Sequence, residues 1–328
     1  MTMTQCPECA APVAPDDRFC EACGRNLLVR RTPVGGPDGS VAAQCACGSR
    51  DIDAEGFCEQ CGRSQPIGRE RMEFVLPTVA GVSDIGRRRQ RNEDSMAFGC
   101  VHTRGVVAVV CDGVASSERA EQASQASVDA ATDVLLEALL EGTDPERATL
   151  TAVSYANEAA AVLARPEAPD VAPSCTFVSA IVTEDGATVG WVGDSRAYWL
   201  ADQGNATPSR RLTKDDTWAA QLVADGVLTE AEALTDRRAH ILSRWLGADA
   251  GPVSPHVITL RPEESGLLLL CSDGLWNYLP EVEDLTAVLP RGVPPLEVAR
   301  SLTATALAAG GHDNITAVVL QLGGGHDR

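Results

Sequence analysis

From about Thr78 the chain alternates short apolar runs with longer alanine-rich stretches, and the two textures have different periods. Val106–Cys111, Thr176–Thr183, Ala187–Val192, Ala197–Leu200, Gly266–Leu270 and Thr316–Leu320 are rich in Val, Ile, Leu and aromatic residues and short enough to be strands. Glu184-Asp185-Gly186 between two of them predicts a hairpin turn. Two long helices fall between the first and second strand. One starts after Ser116 or Ser117 as N-cap and stops at Gly142, with Val128, Leu135, Leu136, Leu139 and Leu140 on one face. The next starts at Asp144-Pro145, with proline at its first position, and ends before Pro166. Trp218–Leu234 and Pro295–Ala309 are further helical regions, the latter stopped by Gly310-Gly311. Hairpin-linked strands with paired helices inserted predict an α+β layered domain.

Before Thr78 this patterning is missing and cysteine replaces it. Eight of the twelve cysteines are Cys6, Cys9, Cys20, Cys23, Cys45, Cys47, Cys58 and Cys61. They form two quartets, C-P-E-C with C-E-A-C-G and C-A-C-G with C-E-Q-C-G, each pair ten residues from its partner. Two thiolate pairs facing each other complete a tetrahedral Zn²⁺ shell, so the pattern resembles two tandem zinc ribbons. Segments this small cannot bury a core, and the metal supplies folding energy on the order of 10 kcal/mol. Four thiolates leave no open coordination position, which makes both zinc ions structural. The organisation read from these textures is ribbon 1 at 1–30, a turn-rich linker at 31–44, ribbon 2 at 45–64, a polar linker at 65–77 and the layered domain at 78–322.

Of the 328 residues, 27 are Lys or Arg and 46 Asp or Glu, a net charge of −19. Such a surface repels nucleic-acid backbone and anionic lipid. The stretch 1–77 is itself acidic, with eight arginines and no lysine against eleven carboxylates, which makes nucleic acid an unlikely partner for the ribbons and favours protein binding. No apolar run approaches a membrane span, and the N-terminus lacks a signal pattern, so the expected location is cytoplasmic.

In the layered domain, acids recur where strands end. Asp112 follows Val106–Cys111, Asp194 follows Val189–Gly193, Asp273 follows Leu267–Ser272, and Asp313 precedes Thr316–Leu320. Each neighbours a glycine or another small residue. Carboxylates aimed together repel unless a cation lies between them, and oxygen-only ligands select Mg²⁺ or Mn²⁺. Taken singly, each aspartate reads as a turn former; their repeated context makes the metal reading the stronger one.

The residues that follow carry a family resemblance. Gly86-Arg-Arg-Arg89-Gln-Arg-Asn92-Glu93-Asp94, Val109-Val-Cys-Asp112-Gly113, Ser174-Cys-Thr176 with Trp191-Val-Gly-Asp194-Ser-Arg196-Ala-Tyr198, Leu269-Leu-Cys-Ser-Asp273-Gly274-Leu-Trp276 and Gly310-Gly-His-Asp313-Asn314-Ile-Thr316 resemble, in order, the motifs of the metal-dependent protein phosphatase 2C (PPM) family. The resemblance runs from about 78 to 322 and excludes the ribbons. It implies an α-β-β-α sandwich of two antiparallel sheets flanked by helices. It implies that Asp112 bridges two Mn²⁺ or Mg²⁺ ions, that the Gly113 carbonyl completes one shell, and that Asp273 and Asp313 serve the other ion. Glu93 then acts mainly through water, Asp94 orients water, and Asp194 with Asp273 serves a weaker third ion. Arg89 holds the substrate phosphate, whose oxygens a guanidinium meets two at a time. Arg87, Arg88 and Arg91 read instead as a solvated basic loop. The implied chemistry is attack of activated water on phosphoserine or phosphothreonine, with no cysteine nucleophile; Cys111, Cys175 and Cys271 read as core thiols. The stretch 212–247 resembles the family's flap, where Trp218, Arg237, Arg238 and Trp245 are candidate contacts.

The sequence departs from the family at Val114-Ala115-Ser116-Ser117-Glu118, where glycines are usual, and Val114 replaces a histidine that donates a proton in some members. With valine there, the leaving group takes its proton from water. That loop motivates the alternative of a pseudophosphatase, an inactive phosphoprotein-binding module; the retained Glu93, Asp94, Asp112, Asp273 and Asp313 count against it. A serine hydrolase built on Gly193-Asp-Ser195-Arg-Ala197 is set aside because that segment runs into a strand, not a helix. The expected partners are phosphorylated proteins, a serine/threonine kinase and its substrates among them, with the ribbons recruiting them.

Overall fold

The computed structural model describes residues 6–323 except 7–8, 15–16, 18, 25, 34–44, 46, 53–56, 63–67, 102–103, 167–170, 203–206, 230–231, 233–240 and 262–264. Among the described residues, fourteen strands run in chain order: β1 Val29–Arg31, β2 Arg71–Leu76, β3 Val79–Asp84, β4 Ser95–Val101, β5 Gly105–Cys111, β6 Ser174–Cys175, β7 Phe177–Thr183, β8 Gly186–Val192, β9 Arg196–Ala201, β10 Arg210–Arg211, β11 Leu246–Gly247, β12 His256–Leu260, β13 Gly266–Cys271 and β14 Ile315–Leu322. One six-stranded sheet has the order β1-β4-β5-β7-β8-β12, the other β10-β9-β13-β14-β3-β2, and β11 pairs with β6. Every pairing is antiparallel.

The central strands are apolar on both faces, which is why they read as unbroken apolar runs. In β5, Ala108 and Val110 face the other sheet, while Val107, Val109 and Cys111 pack under α1 (Ala120–Glu141) and α2 (Pro145–Ala161). In β13, Leu268 and Leu270 point between the sheets, and Leu269 and Cys271 pack under the helices of the other side, including Pro295–Ala309. The layers are therefore helix, sheet, sheet, helix, each buried in strict alternation along the strands.

Four expectations need correction. The polar stretch 65–77 is no linker beyond Gly68, because Arg71–Leu76 pairs with β3 over six residues as an edge strand. It buries Met72 and Leu76 and exposes Arg71 and Val75, and its two charged residues, Arg71 and Glu73, break the apolar run. The end of ribbon 1 and the start of the next linker form β1, paired with β4 through Val29↔Gly99 and Arg31↔Ala97. The first long helix has Arg119, left-handed at φ 50°, as its N-cap, without a side-chain cap. Ser117 is already committed: its hydroxyl donates to the Val114 carbonyl at 2.8 Å and accepts from the Ser174 amide. The helix at Trp218 stops at Ala224, here α3, since Asp225 and Gly226 turn the chain and 225–229 are not helical; of the rest of the expected helix to Leu234, 230–231 and 233–234 lie outside the described residues. The linker segment 34–44 also lies outside them.

Candidate active site

Five connections meet at one end of the sandwich: 85–94 between β3 and β4, 112–119 after β5, 193–195 between β8 and β9, 272–274 after β13, and 310–314 before β14. Antiparallel register brings them together, as Ile315 pairs with Asp84, Cys271 with Ala317 and Arg196, and Ser95 with Cys111. Two glycines let the backbones close. A Cβ at Gly86, which sits at φ +78°, would lie 2.1 Å from the Asp313 carbonyl oxygen, and one at Gly274 would lie 1.9 Å from that of Asn314.

Asn314 ties the first connection to the last. Its amide nitrogen donates to the carbonyls of Ile85 and Arg91, each at 2.9 Å, and its oxygen accepts from the Glu93 amide at 2.8 Å. Arg89 reaches Asp313 with Nη2–Oδ2 at 2.5 Å and stands 4.0 Å from Glu93. Asp94 is fully buried, and its Oδ2 accepts from Ser272 and Thr316, each at 2.7 Å. Its Oδ1 is buried without a hydrogen-bond partner. The Asp112 amide donates to Thr176 Oγ1 at 3.1 Å, and its carbonyl accepts from the Thr176 amide at 2.8 Å. The Asp194 carbonyl accepts from Trp276 Nε1 at 2.9 Å. Asp216 holds the preceding residue, accepting from the Gly193 amide at 3.1 Å while its other oxygen meets His256 at 2.9 Å.

The electrostatics are those of acids short of counter-charge. Burial, reinforced by Asp94, Asp273, Asp194 and Asp313, pushes Asp112 well above the carboxylate range. Burial and then Asp194 and Asp313 do the same to Asp273. Burial raises Glu93 to about 7, Asp94 to about 6 and Asp194 to about 7. Clustered carboxyls whose ionised forms lack counter-charge, with an orphaned oxygen among them, fit a hard divalent ion.

The expected acids are thus brought together, each at its strand end. The sequence reading missed their supports. Ser272 and Thr316 flank recognised aspartates, and only their neighbours gave a signal. Arg69 lies in the supposed linker, yet it is buried and donates to the Asp94 carbonyl and Ser95 Oγ, each at 2.9 Å; burial pushes it down to about 10. Arg91 is not solvated: it pairs with Glu121 at 3.0 Å and lies over the Phe57 ring at 4.1 Å. In the flap, Trp218 is half exposed and Trp245 donates to Asp249, while Arg237 and Arg238 lie outside the described residues.

The cysteine quartets carry a second kind of site. Among the described residues, only these two place three or more metal-ligand atoms within 4.8 Å of one another. Sulfur pairs stand at 3.7 Å (Cys6–Cys23), 3.5 Å (Cys9–Cys20), 3.6 Å (Cys45–Cys61) and 3.6 Å (Cys47–Cys58). Four sulfurs about 2.3 Å from a tetrahedral centre lie about 3.8 Å apart, whereas a disulfide needs about 2.05 Å. The donors fit zinc. Ala10 takes the left-handed turn, φ 56°, that Gly48 takes in the second quartet.

The protein phosphatase 2C family profile matches residues 81–309, and a zinc-ribbon profile matches residues 2–27. The serine/threonine phosphatase stp of Listeria innocua is 30% identical over 241 residues, spanning 73% of this chain and 93% of the relative. Among solved structures, serine/threonine phosphatase Stp1 from Staphylococcus aureus aligns with a TM-score of 0.67 at 26% identity, over 77% of this chain and 98% of that one. The catalytic domain of the serine/threonine phosphatase PstP, solved in complex with two manganese ions, aligns with a TM-score of 0.56 at 27% identity, over 75% and 98%. Among the described residues no helix is long and apolar enough to cross a membrane. Sheet order, the convergence of five motifs at one end and these likenesses lead to one conclusion: the chain belongs to the protein phosphatase 2C family, as a bacterial-type serine/threonine phosphoprotein phosphatase with zinc-ribbon sequence ahead of its catalytic domain.

Proposed function

We propose that the chain hydrolyses phosphoserine and phosphothreonine in proteins at a two-metal centre, without a phosphoenzyme. The observation that carries this is the set of carboxyls held in mutual repulsion at the strand ends. Asp112, the Gly113 carbonyl, Asp273 and Asp313 are the residues that would hold two Mn²⁺ or Mg²⁺, with Glu93 and Asp94 supporting and Asp194 serving a weaker third ion. Such ions supply acidified water and offset phosphoryl charge. The chain supplies the rest. Ser272 and Thr316 hold Asp94 in one orientation. Arg89, now on Asp313, presents a planar fork to the phosphate oxygens. Thiol attack is disfavoured, since burial pushes Cys271 to about 12 and Cys111 well above the usual thiol range. Val114 offers no proton, so the leaving alkoxide takes one from solvent.

Nothing favours the inactive-module alternative: the bulky loop 114–118 is absorbed by Ser117 and by a Glu118 amide bond to Val171, and Gly113 keeps its bridge to Cys175. The substrates are phosphoproteins, a kinase and its targets among them, met in the cytoplasm, where thiols such as these stay reduced. The quartets each hold one structural Zn²⁺. The ribbons recruit partners, and because β1 joins ribbon 1 to the sheet, recruitment is tested by surface changes rather than by deletion. Purified protein should hydrolyse para-nitrophenyl phosphate with Mn²⁺, lose that turnover on chelation, and lose at least about 100-fold in Asp273→Ala. A folded, manganese-loaded protein without turnover on this ester or on phosphopeptides would reject the reading.

A further inference from the structure

Ribbon 2 touches the loop that carries the phosphate arginine. The Phe57 ring lies under the Arg91 guanidinium, 4.1 Å from centroid to carbon. Arg91 is fixed on its other side by Glu121 at the start of α1, and both partners are largely buried, at 22% and 13% side-chain exposure. The Arg91 carbonyl accepts from Asn314, which also holds the Glu93 amide and the Ile85 carbonyl. The Glu93 carbonyl in turn accepts from the Gly113 amide. Arg91 therefore sits inside the network that sets the course of 85–93, two residues from Arg89 and two from Glu93.

Phe57 is equally fixed from the ribbon side. It precedes Cys58, which is 1% exposed, stands 3.6 Å from Cys47, bridges Ile52, and closes a turn with Gly62. Where the Cys45, Cys47, Cys58 and Cys61 sulfurs gather decides where the Phe57 ring lies.

We propose that ribbon 2 is a support for the phosphate-binding loop, with Phe57 and Arg91 as positioning residues, so that zinc occupancy of the second quartet sets the affinity of the active site for phosphate. This rests on the assignment of Arg89 to the substrate phosphate. A planar guanidinium stacked on an aromatic face resists tilting. Loosening it frees the loop between Ile85 and Glu93 and leaves the sheet strands as they are.

The test uses the full chain loaded with zinc and Mn²⁺, comparing wild type, Phe57→Ala, Phe57→Trp and Arg91→Lys. Zinc content is measured first, then amide hydrogen exchange over 85–93 and over β7–β8, then KM and kcat for para-nitrophenyl phosphate and inhibition by inorganic phosphate. In Phe57→Ala, exchange over 85–93 should accelerate at least about threefold while β7–β8 stays constant. KM and the phosphate inhibition constant should rise about 3- to 10-fold, with a smaller change in kcat, and Phe57→Trp should restore both. Arg91→Lys, which keeps the charge toward Glu121 and loses the stacked plane, should repeat the effect without touching the ribbon, and it carries the test if Phe57→Ala sheds zinc. Unchanged exchange over 85–93 in both variants overturns the proposal. Exchange is read without turnover, so an inactive wild type would reject the phosphatase reading and still leave this coupling decided.

Discussion

Asp94 shows what a single buried carboxyl demands. One oxygen takes two hydroxyl donors, and Thr316 Oγ1 also lies 2.8 Å from Ser83 Oγ, so serine and threonine close a small polar ring inside an apolar sandwich. Removing one hydroxyl leaves an acceptor underserved. Thr316→Val should cost about 1–3 kcal/mol in urea unfolding and weaken Mn²⁺ binding measured by calorimetry; unchanged values would show that the ring is incidental. At this scale the acids were legible because strand-ending aspartates with adjacent glycines are uncommon company. Arg69 was not: a lone arginine in a polar stretch reads as surface, and only the fold shows its guanidinium bonded beneath Asp94.

The elements divide in the same way. Central strands such as β5, β7, β13 and β14 are apolar on both faces and stand out from the chain. Edge strands carry one buried face, so β2 is read as part of a linker, β12 goes unread and β1 vanishes into ribbon 1. The flanking pair α1 and α2 was legible from leucine and alanine spacing and from Asp144-Pro145, whose aspartate accepts from the Arg147 amide. The start of α1 was not, since serine as a cap competes with serine as a loop brace. The cost of misplacing a boundary is measurable. A chain beginning at Thr78 loses Arg69 and the buried Met72 and Leu76, worth at least about 3 kcal/mol. It should melt well below one beginning at Gly68; equal melting temperatures would make β2 dispensable.

For the whole molecule, the strand-end acids couple stability to pH. Glu93 and Asp194 have folded-state values near 7 and Asp94 near 6, all above their ordinary range. Their protonated forms favour the folded state, so the stability they contribute is complete below about pH 4 and drains away as pH rises to about 7. The metal-free protein should therefore melt several degrees lower at pH 8 than at pH 5.5, with Mn²⁺ restoring it at pH 8. A flat metal-free profile would mean that these carboxyls are solvated. One topological feature reaches further. The chain leaves the first sheet at Arg31 and enters the second at Arg71, so ribbon 2 is an insertion spliced between strands of opposite sheets, not an appended tail. Secured at two points, it has no free end to wander with, and its effective concentration at the catalytic loop is on the order of millimolar or above. A single backbone cut on either flank leaves it attached by the other. Because closure entropy grows only slowly with loop length, modules of other sizes and binding tastes can be exchanged there, provided the graft rejoins the registers Arg31↔Ala97 and Arg71↔Asp84.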